Sequence, residues 1–502
     1  MSPNSVLIVG AGPTGLVLAL HLSHHGIPFR LIDKNPGPGL ASRAMVVHAR
    51  TLELYAQLGL ADEIIAQGIK GNRLHLKEDG RDVATLNFTD FGAGLSPYPF
   101  ILCYPQDDHE RFLVSKLAER GVNIEWNTTL KSFSQTDAHV RAVIEKSGDE
   151  TLFEVEYLCG CDGARSAVRQ GLELDFPGGT YSQIFYVADV KVSGGGNDDI
   201  YANLGETGLG LILPVRSTGM KRFIGTVPEE LQGKATLGFS DIQPYIEKLL
   251  HVHAEEVNWF STYHVHHRVA EHFRMGRAFL AGDAGHIHSP AGGQGMNTGI
   301  GDAINLSWKL AHVLQGRAAP TLLDTYESER LAFAKVLVAS TDTAFTGLVG
   351  RGWGGRLMRT VFMPTLAPLM TRFTRVRRML FNTISQIRIQ YRHSSLSSGQ
   401  SKSATCAGDR LPWIAALDNF APLRSRDWQL HIYGAVEPEL AQTATNCGLA
   451  LHAFPWNTDA SAAGLHPSTA YLIRPDGYIG LVLPEQNSRQ LADYIGVNHL
   501  KF

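Results

Sequence analysis

No uninterrupted apolar run in this chain reaches the roughly 18 residues that a membrane-crossing helix needs, so no membrane span is expected. Cysteine is scarce. The five residues (Cys103, Cys159, Cys161, Cys406, Cys447) are odd in number, scattered and without a C-x-x-C pair, which excludes a disulfide scaffold and structural zinc and points to a reducing compartment. Charge of one sign is also missing. With 45 Lys and Arg against 48 Asp and Glu, the net charge of −3 gives nothing basic enough for nucleic acid or an anionic membrane. The apolar N-terminus has no basic n-region and is punctuated by glycines, so it does not read as a signal peptide. Tandem repeats are absent too. A cytoplasmic enzyme is the expectation.

At 502 residues the chain exceeds one compact core, and two or three domains are expected. It opens on a buried strand, Val6 to Val9, followed at once by Gly10-Ala11-Gly12-Pro13-Thr14-Gly15, a helix to about His25 and a second strand ending at Asp33 and Lys34. Gly10 permits the tight turn, Gly12 lets a pyrophosphate meet bare backbone, and Gly15 allows close helix–strand packing. An acid 18 residues past Gly15 suits an unphosphorylated adenosine ribose, as in FAD or NAD. This junction predicts dinucleotide binding.

The stretch that the remaining chain serves is Arg277 to Asp302, RAFLAGDAGHIHSPAGGQGMNTGIGD. A short apolar strand ends on Gly282 and Asp283. A carboxylate at the tip of a buried strand needs hydrogen bonds, and a polyol would supply them. Pro290 and the glycines 292, 293, 295 and 299 then lead into a helix starting near Met296, whose unpaired N–H groups favour a ligand that becomes anionic. Reduced flavin with its ribityl tail is such a ligand. The bland alternative is a connection whose glycines only turn the chain.

Between these lie other junctions. Arg43 either meets a phosphate or is a solvated loop arginine. Alternating segments between 73 and 105, a helix from Gln106 and a strand at Asn123 to Trp126 follow. Tyr157 to Arg169, YLCGCDGARSAVR, is a second strand–loop–helix, where Asp162 and Gly163 sit at the strand end and Arg165 and Arg169 supply positive charge for a pyrophosphate. From about 175 to 275 period-2 runs predict an antiparallel sheet. His264 and His266 share a face there, but no acid or cysteine lies at ligand spacing, so no metal is expected. A long helix follows Asp302, arginine-rich helices run to about 392, residues 394 to 405 form a polar linker, and a small α/β unit closes the chain. Its Pro475-Asp476-Gly477 is a hairpin signal.

The three junctions in this order, GAGPTG with Asp33, GCDGARSAVR, and LAGDAGHIHSPAGGQGMNTGIGDAINLSWKL, resemble the FAD-dependent aromatic monooxygenases of the para-hydroxybenzoate hydroxylase type, with a tail like that of the phenol and polyketide hydroxylase branch. The resemblance implies an α/β fold: a Rossmann-like FAD-binding domain of the GR2 type (1–174 and 268–340) interleaved with an antiparallel-sheet substrate domain (175–267, with parts of 70–105). A helical segment (341–393), the linker (394–405) and a thioredoxin-like C-terminal α/β domain (406–502) complete it. That domain would pack on the arginine-rich helices or on the second subunit of a homodimer.

Roles follow from the resemblance position by position. Gly10, Gly12, Pro13, Thr14 and Gly15 with Asp33 and Lys34 would hold the ADP half of FAD. Arg43 and Gln106 would contact phosphates and ribose, and Leu130 would lie near the adenine. Asp162, Gly163 and Arg165 belong to the motif implicated in both FAD and NADPH binding. Gly282 and Asp283 would take the ribityl chain, Pro290 would lie at the reactive edge of the ring, and Gly293, Gly295, Met296 and Asn297 would face its pyrimidine end. Gly285 stands where the family usually has alanine. Met45 stands where phenol-degrading members carry an acid, so no catalytic base is named. The implied reaction uses NADPH or NADH to reduce FAD, and O₂ to hydroxylate a small aromatic substrate through a flavin hydroperoxide. An oxidase or dehydrogenase without oxygen insertion is the alternative, and a non-catalytic flavin-binding protein a further one. The sheet at 201 to 227 and loops near 45 to 48 and 91 to 104 (Phe91, Tyr98, Phe100) would line the substrate site.

Overall fold

The computed structural model describes residues 5–39, 44–78, 81–193, 198–205, 208–234, 236–250, 252–349, 373–399 and 405–502. Arg43 lies outside them. The main sheet has five strands in the order Arg274–Met275, Ala278–Leu280, Tyr157–Gly160, Val6–Val9, Phe29–Ile32. All neighbours are parallel except the first pair. Parallel strands are covered on both faces, which is why Val6–Val9 and Tyr157–Gly160 are unbroken apolar or small runs and are entirely buried. Helix Pro13–His24 packs against helix Gly295–Leu314, joining the first and third junctions.

The strand expected at Asn123 to Trp126 is reduced to a single bridge between Ile32 and Glu125. Pairing shifts instead to an antiparallel meander, Thr128–Gln135, Val140–Lys146 and Asp149–Val155. The polar alternation of those strands puts one face on the core and one in water, a weaker signal than an apolar run.

The second sheet has eight strands in the order His286–Ile287, His253–Val269, Gly178–Ser193, Lys221–Thr226, Gly208–Pro214, Ile200–Gly205, Arg73–Glu78, Arg81–Asn87. It is antiparallel as expected apart from one joint, where Ile200 pairs in parallel with Leu74. Two hairpins meet edge to edge there, and no turn connects them to impose the antiparallel sense. Helix Phe239–Leu250 covers one face through Ile242 and Ile246. Its first strand belongs to the third junction, with His286 paired to Val269, so the sheet is stitched to the loop that follows Asp283.

The boundary expected at residue 340 falls inside one continuous helix, Asp324–Val349. Helix Thr374–Ile384 follows, and residues 350–372 lie outside the described residues. The described part of the expected linker is not loose: Ser398 bridges to Leu481, and the Ser394 hydroxyl donates to Glu329 at 2.6 Å. The C-terminal sheet has the order Ala450–Phe454, Gln429–Tyr433, Thr469–Ile473, Ile479–Pro484, with its first pair parallel and the others antiparallel. Pro475-Asp476-Gly477 turns its last hairpin, with Gly477 at φ +75. All five cysteines are free thiols, and Cys103, Cys159 and Cys161 are buried.

Several histidines are enclosed where an imidazolium would be poorly solvated. Burial holds His48 down to about 4, and His109 and His431 down to about 3, from an ordinary 6.5. The unfolded chain therefore binds more protons than the native one between pH 6.5 and 3. Stability from these groups is complete above 6.5 and is lost as pH falls through that window, each group giving up about 1.4 kcal/mol for every tenfold difference in proton affinity between the two states. The melting temperature at constant ionic strength is expected to fall steadily from pH 6.5 to 4.5. A flat or rising profile across that range would contradict the burial of neutral imidazoles.

Candidate active site

Four adjacent parallel strands deliver their carboxyl ends to one edge. Gly10 follows Val6–Val9, Asp33 follows Phe29–Ile32, Asp162 follows Tyr157–Gly160, and Gly282–Asp283 follow Ala278–Leu280. Crevices at the carboxyl ends of such strands are where open α/β sheets bind ligands.

Glycine is required at this edge by contact. At Gly10 (φ +104) a Cβ would sit 2.3 Å from the Cys161 carbonyl oxygen, and at Gly15 it would sit 1.9 Å from the Gly10 oxygen. At Gly299 a Cβ would sit 2.4 Å from Thr14 Oγ1, and at Gly282 2.5 Å from the same atom. Thr14 is thus a wedge between the first and third junctions. Gly12 differs: nothing lies within 4 Å of its Cβ position, so it faces open space.

Two helix N-termini point here without side-chain caps. Helix Pro13–His24 has Gly12 as N-cap and proline at its first position. Helix Gly295–Leu314 has Gln294 as N-cap, and its side chain caps nothing. The first turn of each offers N–H groups and a positive dipole end to an anion.

The side chains divide into those facing the ligand space and those occupied by the protein. Asp33 accepts from the Ala11 N–H at 2.7 Å and the Asn35 N–H at 2.8 Å, which fixes the glycine loop. Asp162 accepts from the Ala167 and Val168 N–H groups at 2.7 and 3.2 Å through one oxygen. Its other oxygen is buried with no hydrogen-bond partner among the described residues, and burial raises this carboxyl above the usual range. Lys34, Asp162, Ala164, Arg165, Thr180, Tyr263, His264 and His266 line a cleft of about 660 Å³ between the strand ends and the second sheet. His264 and His266 therefore belong to a cleft wall. Among the described residues no cluster of His, Cys, Asp or Glu is arranged to hold a metal.

Several side chains depart from expectation. Asp283 is exposed on the short 3-10 turn Gly282–Ala284, so no desolvation demand acts on it. The buried carboxylate is Asp302, further along the same stretch. It accepts from the Gly282 N–H at 2.9 Å and from Arg330 Nε at 2.6 Å, and it pairs with His286 Nε2 at 2.7 Å. Burial opposes its charge, but Arg330 and His286 hold it below the usual carboxylate range. Arg169 does not face a phosphate: it donates to the carbonyls of Ala284 and Ala164 at 2.7 and 2.8 Å and stacks on Phe176, tying the second junction to the third. The Asn297 side chain is occupied by the protein, accepting from the His48 N–H and Thr51 hydroxyl, both at 2.8 Å, and donating to the Val46 and Gly293 carbonyls at 3.0 Å. Only its backbone is left for a ligand. Gln106 donates to Glu110 at 2.8 Å, and Leu130 is buried in the main core.

Pro290 is exposed beside the turn Ala291–Gly293, and Gly293, at φ +64, leaves no room for a Cβ against Val46. Met296 is partly buried against the main core. Gly163, at φ +74, and exposed Arg165 form the open side of the second junction. Gly285 has a local reason, because a Cβ there would meet the Phe273 ring at 3.0 Å. Of the expected lining residues, Met45 packs with Cys103, Ile200 and Leu213, and Phe91 packs with Phe88 and Phe381.

An open Gly12, two uncapped helix N-termini and Asp33 beside the glycine loop fit a long, phosphate-bearing ligand such as FAD. The comparisons with known proteins agree. The family described as FAD binding domain matches residues 4–341. A 6-methylpretetramide 4-monooxygenase from Streptomyces rimosus is 33% identical, over 99% of this chain and 93% of that protein. A pentachlorophenol 4-monooxygenase from Sphingobium chlorophenolicum is also 33% identical, over 70% of this chain and 66% of that protein. The solved structure of an anhydrotetracycline hydroxylase from Streptomyces rimosus superimposes with a TM-score of 0.78 at 27% identity, covering 98% of both chains. Among the described residues no helix is long and apolar enough to cross a membrane. The chain belongs to the FAD binding domain family of flavin-dependent monooxygenases.

Proposed function

We propose that this enzyme hydroxylates a phenolic or polyketide-type aromatic ring in the cytoplasm, taking electrons from NADPH or NADH and one oxygen atom from O₂. The observation that carries this reading is the meeting of four strand-end loops and two uncapped helix N-termini at one edge of the main sheet. Bound FAD supplies the redox and oxygen-transfer chemistry, and the protein supplies position, dryness and electrostatics. Gly12 and the start of helix Pro13–His24 receive the pyrophosphate. Asp33 orders the glycine loop and retains acceptor capacity for the ribose. Asp283 accepts from the ribityl hydroxyls. The N–H groups of Gly295, Met296 and Asn297 hold the electron-rich end of the ring. The polyketide-directed relatives support a planar aromatic as the substrate class.

Asp283→Ala removes a charged acceptor, an interaction worth about 1.5–3 kcal/mol, so FAD affinity is expected to fall roughly 10- to 150-fold. Fluorescence titration of the apoprotein with FAD measures this. Unaltered affinity would remove Asp283 from the ribityl site.

The cleft beside Lys34, Asp162 and Arg165 is assigned to the nicotinamide donor. Asp162→Ala is therefore expected to slow anaerobic flavin reduction by NADPH at least tenfold while FAD content stays full. Stopped-flow reduction at the wild-type rate would argue against that assignment. The C-terminal unit is read as a thioredoxin-like domain with a structural role, since Cys406 and Cys447 are free thiols outside any C-x-x-C pair. Screening aromatic compounds for stimulated NADPH oxidation, with product identification, tests the proposal as a whole.

A further inference from the structure

The C-terminal hairpin turn, Arg474 to Tyr478, is plugged into the FAD-binding body through a buried polar cluster. Arg474 donates to Glu329 at 2.7 and 2.9 Å and to Asp476 at 2.7 and 3.0 Å. Lys309 donates to Glu329 at 2.8 Å, and Trp308 Nε1 donates to Asp476 at 3.2 Å. Two cations and two carboxylates balance one another, so no charge of the cluster is buried without a counter-charge. Such a cluster is more than a surface seam requires.

Two arms run from this turn to the loop 282–297. In the first, the Asp476 carbonyl accepts from Arg50 at 2.6 Å. Arg50 and Thr51 open helix Ala49–Gln57, and Thr51 and the His48 N–H clamp the Asn297 carboxamide at the first turn of helix Gly295–Leu314. In the second, the Tyr478 ring lies 4.4 Å from the Tyr391 ring, and the Tyr391 hydroxyl accepts from Arg330 at 2.9 Å. Arg330 then holds Asp302 and the Thr298 carbonyl, and Asp302 holds the Gly282 N–H beside Asp283. The arms thus end on the two sides of the loop, one at Gly282 and one at Asn297.

The geometry points to the hairpin turn Arg474–Tyr478 as a positioning element for the flavin ring: the C-terminal domain fixes loop 282–297, and through it the electrostatics felt by FAD. This rests on the assignment of FAD to that loop. Tyr478 is a positioning residue that acts through Tyr391 and Arg330.

The experiment compares Tyr478→Ala and Tyr478→Phe in the full-length holoenzyme, with Tyr391→Phe as a second route into the same arm. Readouts are the visible spectrum at saturating FAD, the FAD dissociation constant and the two-electron reduction potential. Tyr478→Ala and Tyr391→Phe are expected to alter the flavin band shape and to cost about tenfold in preference for reduced over oxidised FAD, a fall of about 30 mV. Tyr478→Phe keeps the ring and is expected to match wild type. If Tyr478→Ala does not fold, Tyr391→Phe, which removes one hydroxyl, decides the matter. Wild-type spectra and potentials in the folded variants would overturn the inference. A wild-type protein that binds no FAD would overturn the underlying site assignment instead.

Discussion

Gly15→Ala is expected to cost up to roughly a hundredfold in FAD affinity and to lower the melting temperature of the apoprotein. The added Cβ would lie 1.9 Å from the Gly10 carbonyl oxygen and 3.3 Å from Cys161 Cβ. The first of these is backbone, and Gly10 cannot withdraw because it is itself wedged against Cys161. Relief comes only by lifting helix Pro13–His24 off its strand, which takes the Gly12 loop with it. Overpacking of this kind costs about 1–3 kcal/mol or more, and the upper end corresponds to roughly a hundredfold in binding. Gly12→Ala is the control. Its Cβ meets nothing in the protein, so the apoprotein should melt as wild type while FAD affinity alone falls. If both variants melt normally and bind FAD normally, the glycine loop does not cradle the dinucleotide.

Asp302→Ala should be the most damaging single change in the third junction. The carboxylate is buried, and removing it strands the Arg330 guanidinium and the Gly282 N–H without their acceptor. Breaking a buried pair by deleting one partner costs about 3–5 kcal/mol, a large part of a typical folding free energy. Denaturant unfolding of the apoprotein is expected to show that loss, and the holoenzyme should release FAD more readily because Gly282 anchors the Asp283 turn. A loss below about 1 kcal/mol would mean that the network is not the brace described above.

These two variants also mark what the sequence discloses and what it hides. Glycine spacing after an apolar strand is local chemistry, so the Gly10–Gly15 loop, the acid at 33 and the turn at 475–477 are legible directly. Period-2 alternation likewise discloses most of the second sheet. Asp302 is not legible, because its value depends on Arg330 and His286, whose approach only the folded chain decides. Arg169 misleads for the same reason: its guanidinium suits a phosphate, yet it is occupied by the carbonyls of Ala284 and Ala164. Asp283 follows a buried strand, yet the chain turns outward one residue earlier at Gly282, with φ +61. The coupling of the C-terminal hairpin to loop 282–297 depends on contacts such as Arg50 with Asp476, 426 positions apart, and no periodicity announces it.

Oxygen incorporation tests the central claim most directly. The holoenzyme is supplied with NADPH, ¹⁸O₂ and the aromatic compound that most stimulates NADPH oxidation, and the product is examined by mass spectrometry. One ¹⁸O atom per product molecule is expected, with the other recovered in water. NADPH oxidation that yields only labelled hydrogen peroxide and an unaltered aromatic, for every compound that stimulates it, would contradict a monooxygenase and indicate an oxidase built on the same FAD site.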